Sequence, residues 1–119
     1  MPKNLLKQVN LISGKPNRSG RNYSFKPPDK RRPVLILTRN SAISFLNEVT
    51  IAPVTSNIRD IPSEIVIGPE DGMPYRCAVN FDHIQTVAKD RLGELITTLS
   101  DDKMAEAGVA ICFALGIEI

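Results

Sequence analysis

The sequence predicts a small, mainly β domain closed by one C-terminal helix, and three observations predict it. Short apolar segments rich in Val, Ile and Thr recur through the middle of the chain, separated by Gly, Pro and Asp, which is the pattern of strands joined by turns. A capping signal at Ser100 opens a final stretch with helical spacing. With 119 residues, the chain can bury one hydrophobic core but not two ordinary ones, so residues 1–119 are expected to form a single domain.

In chain order, Gln8 to Ile12 reads as a first strand. The stretch from Ser13 to Lys30, rich in Gly, Ser, Asn, Pro and Lys, reads as a mobile basic loop at 13–31 that is either disordered or a lid over a binding surface. Strands follow at Val34 to Thr38, Val49 to Val54, Glu64 to Ile67, Cys77 to Phe81 and Ile84 to Val87, with turns at Gly68-Pro69, Asp71-Gly72 and Met73-Pro74. Pro33 fits a strand start, where no ladder donor is missed, and Pro53 points to an edge or bulge. Ser100 then caps a helix whose first turn carries Asp101 and Asp102, and whose apolar stripe is Met104, Ala107, Gly108, Ile111, Cys112 and Leu115. Gly116 ends it. Five to seven strands and one helix fit most simply as a compact barrel that hides its sheet edges.

Composition narrows the function. Residues 1–32 hold nine basic side chains and one acid, whereas the remainder holds six basic and twelve acidic ones. A basic arm on an acidic body fits a polyanionic partner, because neutralising phosphates releases counterions; charge alone leaves open a tail that only aids solubility. Aromatic residues at 5% and no Trp argue against broad stacking of single-stranded bases. No apolar run is long enough to span a bilayer and the N-terminus lacks a secretory core, so no membrane association and a cytoplasmic location are expected. Cys77 and Cys112 lack metal-ligand spacing and read as two buried thiols. Asp82, Asp90, Asp101 and Asp102 are scattered and read as solvated surface, so neither a metal nor another cofactor is expected.

Four motifs, in order, carry a family likeness. They are Arg31-Arg32-Pro33-Val34-Leu35-Ile36-Leu37-Thr38; Val49-Thr50-Ile51-Ala52-Pro53-Val54-Thr55-Ser56-Asn57; Ala78 to Val87, with Asp82-His83-Ile84-Gln85-Thr86 at its centre; and Leu92-Gly93-Glu94-Leu95 with the closing Phe113-Ala114-Leu115-Gly116. Together they resemble the MazF/PemK toxin family over about residues 31–117. The chain departs from the family at the start, where Lys7-Gln8-Val9-Asn10-Leu11-Ile12 replaces the usual Gly, acidic, β-branched and aromatic opening.

The resemblance implies an SH3-like barrel, a homodimer, and a toxin of a type II toxin-antitoxin system that cleaves single-stranded mRNA within short sequence contexts, leaving a 2′,3′-cyclic phosphate and a 5′-hydroxyl. It also implies a small antitoxin, expected to be acidic and partly disordered so that it competes with RNA for a basic groove, and operator DNA bound only through the antitoxin complex. Carried over motif by motif, the catalytic pair is Arg32 and Thr55; without the resemblance these would read as a basic residue at a strand edge and an ordinary strand-end Thr. Arg21, Lys30, Arg31, Ser56 and Asn57 are the expected RNA-binding residues. Arg gives up its proton reluctantly and a Thr hydroxyl is a poor base, so the pair suits phosphate binding and stabilisation of transition-state charge better than proton transfer. His83, the one His in the chain, stands where the family usually carries Gln and is not assigned a catalytic role. Two other readings stay open: a toxin of the same fold that binds DNA gyrase, like the CcdB group, and an inactive member that binds antitoxin only.

Overall fold

A computed structural model describes residues 8–12 and 31–118; the expected loop from Ser13 to Lys30 lies outside the described residues. Seven strands form one antiparallel sheet: β1 (Gln8–Ile12), β2 (Arg32–Ile36), β3 (Glu48–Thr55), β4 (Glu64–Ile67), β5 (Cys77–Asn80), β6 (Gln85–Ala88) and β7 (Leu92–Thr98). A four-residue helix, α1 (Asn40–Ile43), joins β2 to β3, and α2 (Asp101–Leu115) closes the chain. The strand order is β4-β5-β3-β2-β1-β7, with β6 also paired to β3. The sheet curls into a half-barrel whose two ends meet through a turn: Thr97 Oγ1 on β7 donates to the Asp71 carbonyl, which follows β4, at 2.8 Å.

Strand β3 organises the sheet. Its first half, Glu48 to Ile51, pairs with β6, and its end, Val54 and Thr55, pairs with β5. Pro53 falls in the gap between these outer partners, where a missing N–H interrupts neither ladder. The edge or bulge expected from this proline is thus a change of partner inside a central strand.

Side chains alternate along β2 and β3, so the sheet is apolar on both faces. Leu35, Ala52 and Val54 join Val9, Val79 and Phe81 in the larger cluster, which also contains Ala107 and Ala110 of α2. Val34, Ile36, Val49 and Ile51 turn the other way and pack with Ile12 and Val87. Burying each such Leu, Ile, Val or Phe contributes roughly 1.5–3 kcal/mol before chain entropy is counted.

Helix α2 begins and ends where the sequence places it. Ser100 Oγ accepts the Lys103 N–H at 3.1 Å. Gly116 is left-handed (φ 69°), and the N–H of Ile117 reaches the Cys112 carbonyl at 2.9 Å. The buried stripe is rotated from the expected one. Ala107 and Ala110 are buried and Met104, Ile111 and Ala114 pack beside them, while Gly108 and Leu115 are exposed. Small Ala side chains let the helix axis approach the sheet, and that decides the contact face more than the count of large apolar residues.

Three further expectations need correction. Cys77 is buried, but Cys112 is only half-buried, so the thiols are not equivalent; both are free. Asp82 is exposed yet not simply solvated, since it accepts the Ser63 hydroxyl at 2.6 Å. Strand β2 starts at Arg32 rather than Val34, making Pro33 its second residue. Strand β7 was not expected at all: it is mostly exposed, contains Gly93 and Glu94, and pairs with β1 through two register irregularities. No described helix is long and apolar enough to cross a membrane.

Candidate active site

Arg32 opens β2 and Thr55 ends β3. Across the β2–β3 ladder Val34 faces Pro53 and Ile36 faces Ile51; continued two residues outward, this register sets Arg32 level with Thr55. By strand alternation the two side chains leave the same face of the sheet. The pair shares its face with Val34 and Ile51, the face turned away from α2. Arg32 is held on its other side by Ile12 of β1, and Thr55 by Ala78 of β5. Two residues 23 positions apart in sequence therefore stand at the same end of two neighbouring strands.

The polar geometry at Thr55 fixes what its hydroxyl can do. Thr55 Oγ1 accepts the N–H of Asn57 at 3.0 Å, a local turn that orients the side chain. With a donor already on one lone pair, the oxygen is less basic, and its own proton is left for another acceptor. Arg32 is exposed, so its planar fork of donors is open to an anion. Side by side they form a donor pair suited to the oxygens of one phosphate.

The other expected residues divide. Arg31 is exposed immediately before β2, and Ser56 and Asn57 are exposed immediately after β3, so all three border the Arg32–Thr55 pair. Lys30 and Arg21 lie outside the described residues. His83 sits in a turn, Phe81–His83, between the β5 residues paired to the end of β3 and Gln85, which faces Ile51. The chain there runs back along β3, away from Thr55. Among the described residues no group of three or more His, Cys, Asp and Glu is placed to hold a metal ion.

Sequence reasoning missed the loop that follows Thr55. Glu64, the first residue of β4, is buried and accepts both the Arg59 backbone N–H at 3.1 Å and Arg59 Nη1 at 2.9 Å. The opposite charges five residues apart, just before an expected strand, were the available signal. A shallow cavity of about 850 Å³ also lies elsewhere, lined by Thr38, Glu48, Thr50, Thr86 and Lys89 among others. It is at the opposite end of β3, roughly 20 Å from Thr55 by strand rise, and on the other face, so it is separate from Arg32 and Thr55.

Comparison with known proteins gives a consistent picture. Residues 10–115 match the family model described as PemK-like, MazF-like toxin of type II toxin-antitoxin system. A probable endoribonuclease MazF5 of Mycobacterium tuberculosis is 39% identical over 90 residues, covering 75% of this chain and 79% of that protein. The structure is similar to M. tuberculosis toxin MazF-mt6, with TM-score 0.78 and 26% identity over 95% of this chain and 100% of that one. It is also similar to a mycobacterial endoribonuclease solved in complex with its cognate antitoxin, with TM-score 0.74 and 25% identity over 100% and 99% of the two chains.

Proposed function

This chain belongs to the PemK-like, MazF-like toxins of type II toxin-antitoxin systems, and on that basis we propose that it is a sequence-selective endoribonuclease whose phosphate-binding centre is Arg32 with Thr55. The observation that carries the assignment is the strand register, which sets the two residues level at one end of the sheet with the Thr hydroxyl oriented by Asn57.

In the reaction the 2′-hydroxyl gives its proton to water as its oxygen attacks the adjacent phosphorus; the in-line P–O5′ bond breaks and the departing 5′-oxygen takes a proton from water, giving a 2′,3′-cyclic phosphate and a 5′-hydroxyl. Negative charge grows on the non-bridging oxygens as the P–O bond forms. Arg32 meets that charge with its fork, and Thr55 donates one further hydrogen bond to the same phosphate. Both interactions strengthen as charge develops, so they lower the barrier rather than merely bind the substrate. The chemistry asks for no metal. Arg31, Ser56 and Asn57, together with Lys30 and Arg21 of the basic arm, contact the flanking nucleotides.

The basic arm favours an acidic antitoxin that covers the same end of the sheet; a mycobacterial relative is solved in complex with its cognate antitoxin. Operator DNA is then reached through that complex. The protein acts as a homodimer in the cytoplasm; a monomeric mass by light scattering at micromolar concentration overturns the dimer. The deciding experiment incubates a long RNA with the protein in excess EDTA and maps the new 5′ ends. Cleavage at a short recurring sequence is expected, with loss of roughly a hundredfold or more in Arg32→Ala. Undiminished cutting by that folded variant removes Arg32 from the mechanism.

A further inference from the structure

We propose that Glu64 is a positioning residue for cleavage, acting through Arg59 to hold the loop that orients Thr55; the inference rests on the activity proposed above. The Glu64 side chain is 1% exposed, whereas that of Arg59 is 46% exposed. Its two oxygens take different jobs: Oε1 accepts the backbone N–H of Arg59 and Oε2 accepts its guanidinium. The carboxylate therefore fixes both the path of the main chain and the direction of the side chain, two residues beyond Asn57, whose own N–H holds Thr55 Oγ1.

The loop is also held by the Ile61 carbonyl, which accepts the Glu64 N–H at 3.0 Å, and at its two ends. Thr55 is in register with Ala78. At the far end the Ser63 carbonyl accepts the Phe81 N–H at 2.9 Å, and the Ser63 hydroxyl donates to Asp82. Between them Asp60 is left-handed at φ 59°, alone in this among the non-glycine residues described, a conformation that surrounding contacts must hold in place. The Glu64–Arg59 latch lies next to it.

Stability alone does not account for a charged group in this position. Burying the Glu64 carboxylate costs desolvation that a half-exposed Arg59 only partly offsets. What the carboxylate supplies is direction. One loop conformation brings an N–H and a guanidinium to its two oxygens together, and that conformation aims the Thr55 hydroxyl. A second ion pair, Lys103 with Glu106, lies along the surface of α2 at 3.5 Å and constrains nothing comparable.

The test compares wild type, Glu64→Gln and Arg59→Lys with Thr55→Val and the Thr55→Val/Glu64→Gln double variant, each confirmed folded by thermal melting. Glu64→Gln keeps an acceptor for the Arg59 N–H but sets an amide donor against the guanidinium. Its kcat on RNA is expected to fall roughly ten- to a hundredfold with KM changed by less than about twofold, because phosphate contacts are kept while the reacting geometry loosens. Arg59→Lys, at a half-exposed position, should show the same split with a smaller drop. In the Thr55→Val background Glu64→Gln should change kcat by less than about twofold, since a group acting through Thr55 has nothing left to position. Unchanged kcat in both single variants, or full additivity with Thr55→Val, overturns the positioning role while leaving the nuclease reading intact. An inactive wild-type protein overturns both.

Discussion

Replacing Thr55 by Val removes one hydroxyl at nearly constant shape, and the structure sets two separate magnitudes for the outcome. The lost hydrogen bond is Thr55 Oγ1 to the Asn57 N–H, 3.0 Å long and exposed. Water can replace such an acceptor, so the stability loss should be at most about 1 kcal/mol, which for a domain of this size lowers Tm by no more than about 4 °C. Catalysis should suffer more. Removing one donor aimed at developing charge costs on the order of a hundredfold in kcat, equivalent to about 2.7 kcal/mol of transition-state stabilisation. The assay is single-turnover cleavage of a short RNA in EDTA beside a thermal melt, with Thr55→Ser as control. Thr55→Ser keeps the hydroxyl and should recover most of the rate. Activity of Thr55→Val within about threefold of wild type, or a Thr55→Ser variant as slow as Thr55→Val, would refute the donor role.

Two further predictions concern the scaffold. Gly72 has φ +92°, and a Cβ there would overlap Thr97 Oγ1, which bonds the Asp71 carbonyl. Gly72→Ala should therefore cost roughly 2–3 kcal/mol, the sum of a left-handed Ala and a disturbed hydrogen bond, read as a shifted urea midpoint; an unchanged midpoint removes this turn as the link between the sheet ends. Burial, and secondarily the negative charge of Asp71, raises the Cys77 thiol above its ordinary pKa. Because the folded value is the higher one, this contribution is complete below the unfolded thiol pKa of ~8.5 and is lost as pH rises through the folded value. Wild type should lose stability more steeply than Cys77→Ala in urea melts above that pH, and parallel pH profiles would contradict the assignment.

Local pattern carried most of the fold. Strands β2 to β6 and helix α2 were legible because apolar alternation, turn residues and caps act over a few neighbours: the Glu64 to Ile67 strand and the Ser100 and Gly116 boundaries stand where the sequence put them. Strand β7 was not legible, since its stability comes from pairing with β1 and only weakly from its own side chains. The buried stripe of α2 was misplaced for a related reason: which helical face meets the sheet depends on how closely Ala107 and Ala110 allow approach.

Arg32 and Thr55 return changed by the structure. As two short motifs they pointed to a phosphate-binding pair in the sequence; their adjacency exists only because β2 and β3 run antiparallel in a register with Val34 opposite Pro53. The hydrogen bond at the Thr55 hydroxyl is a local turn over two residues, whereas the burial of Glu64, which grips the following loop, belongs to tertiary structure. A sequence specifies which groups a chain carries and which segments become strands, because those depend on near neighbours. Which groups meet, and which carboxylate loses its water, depends on pairings between residues far apart in the chain.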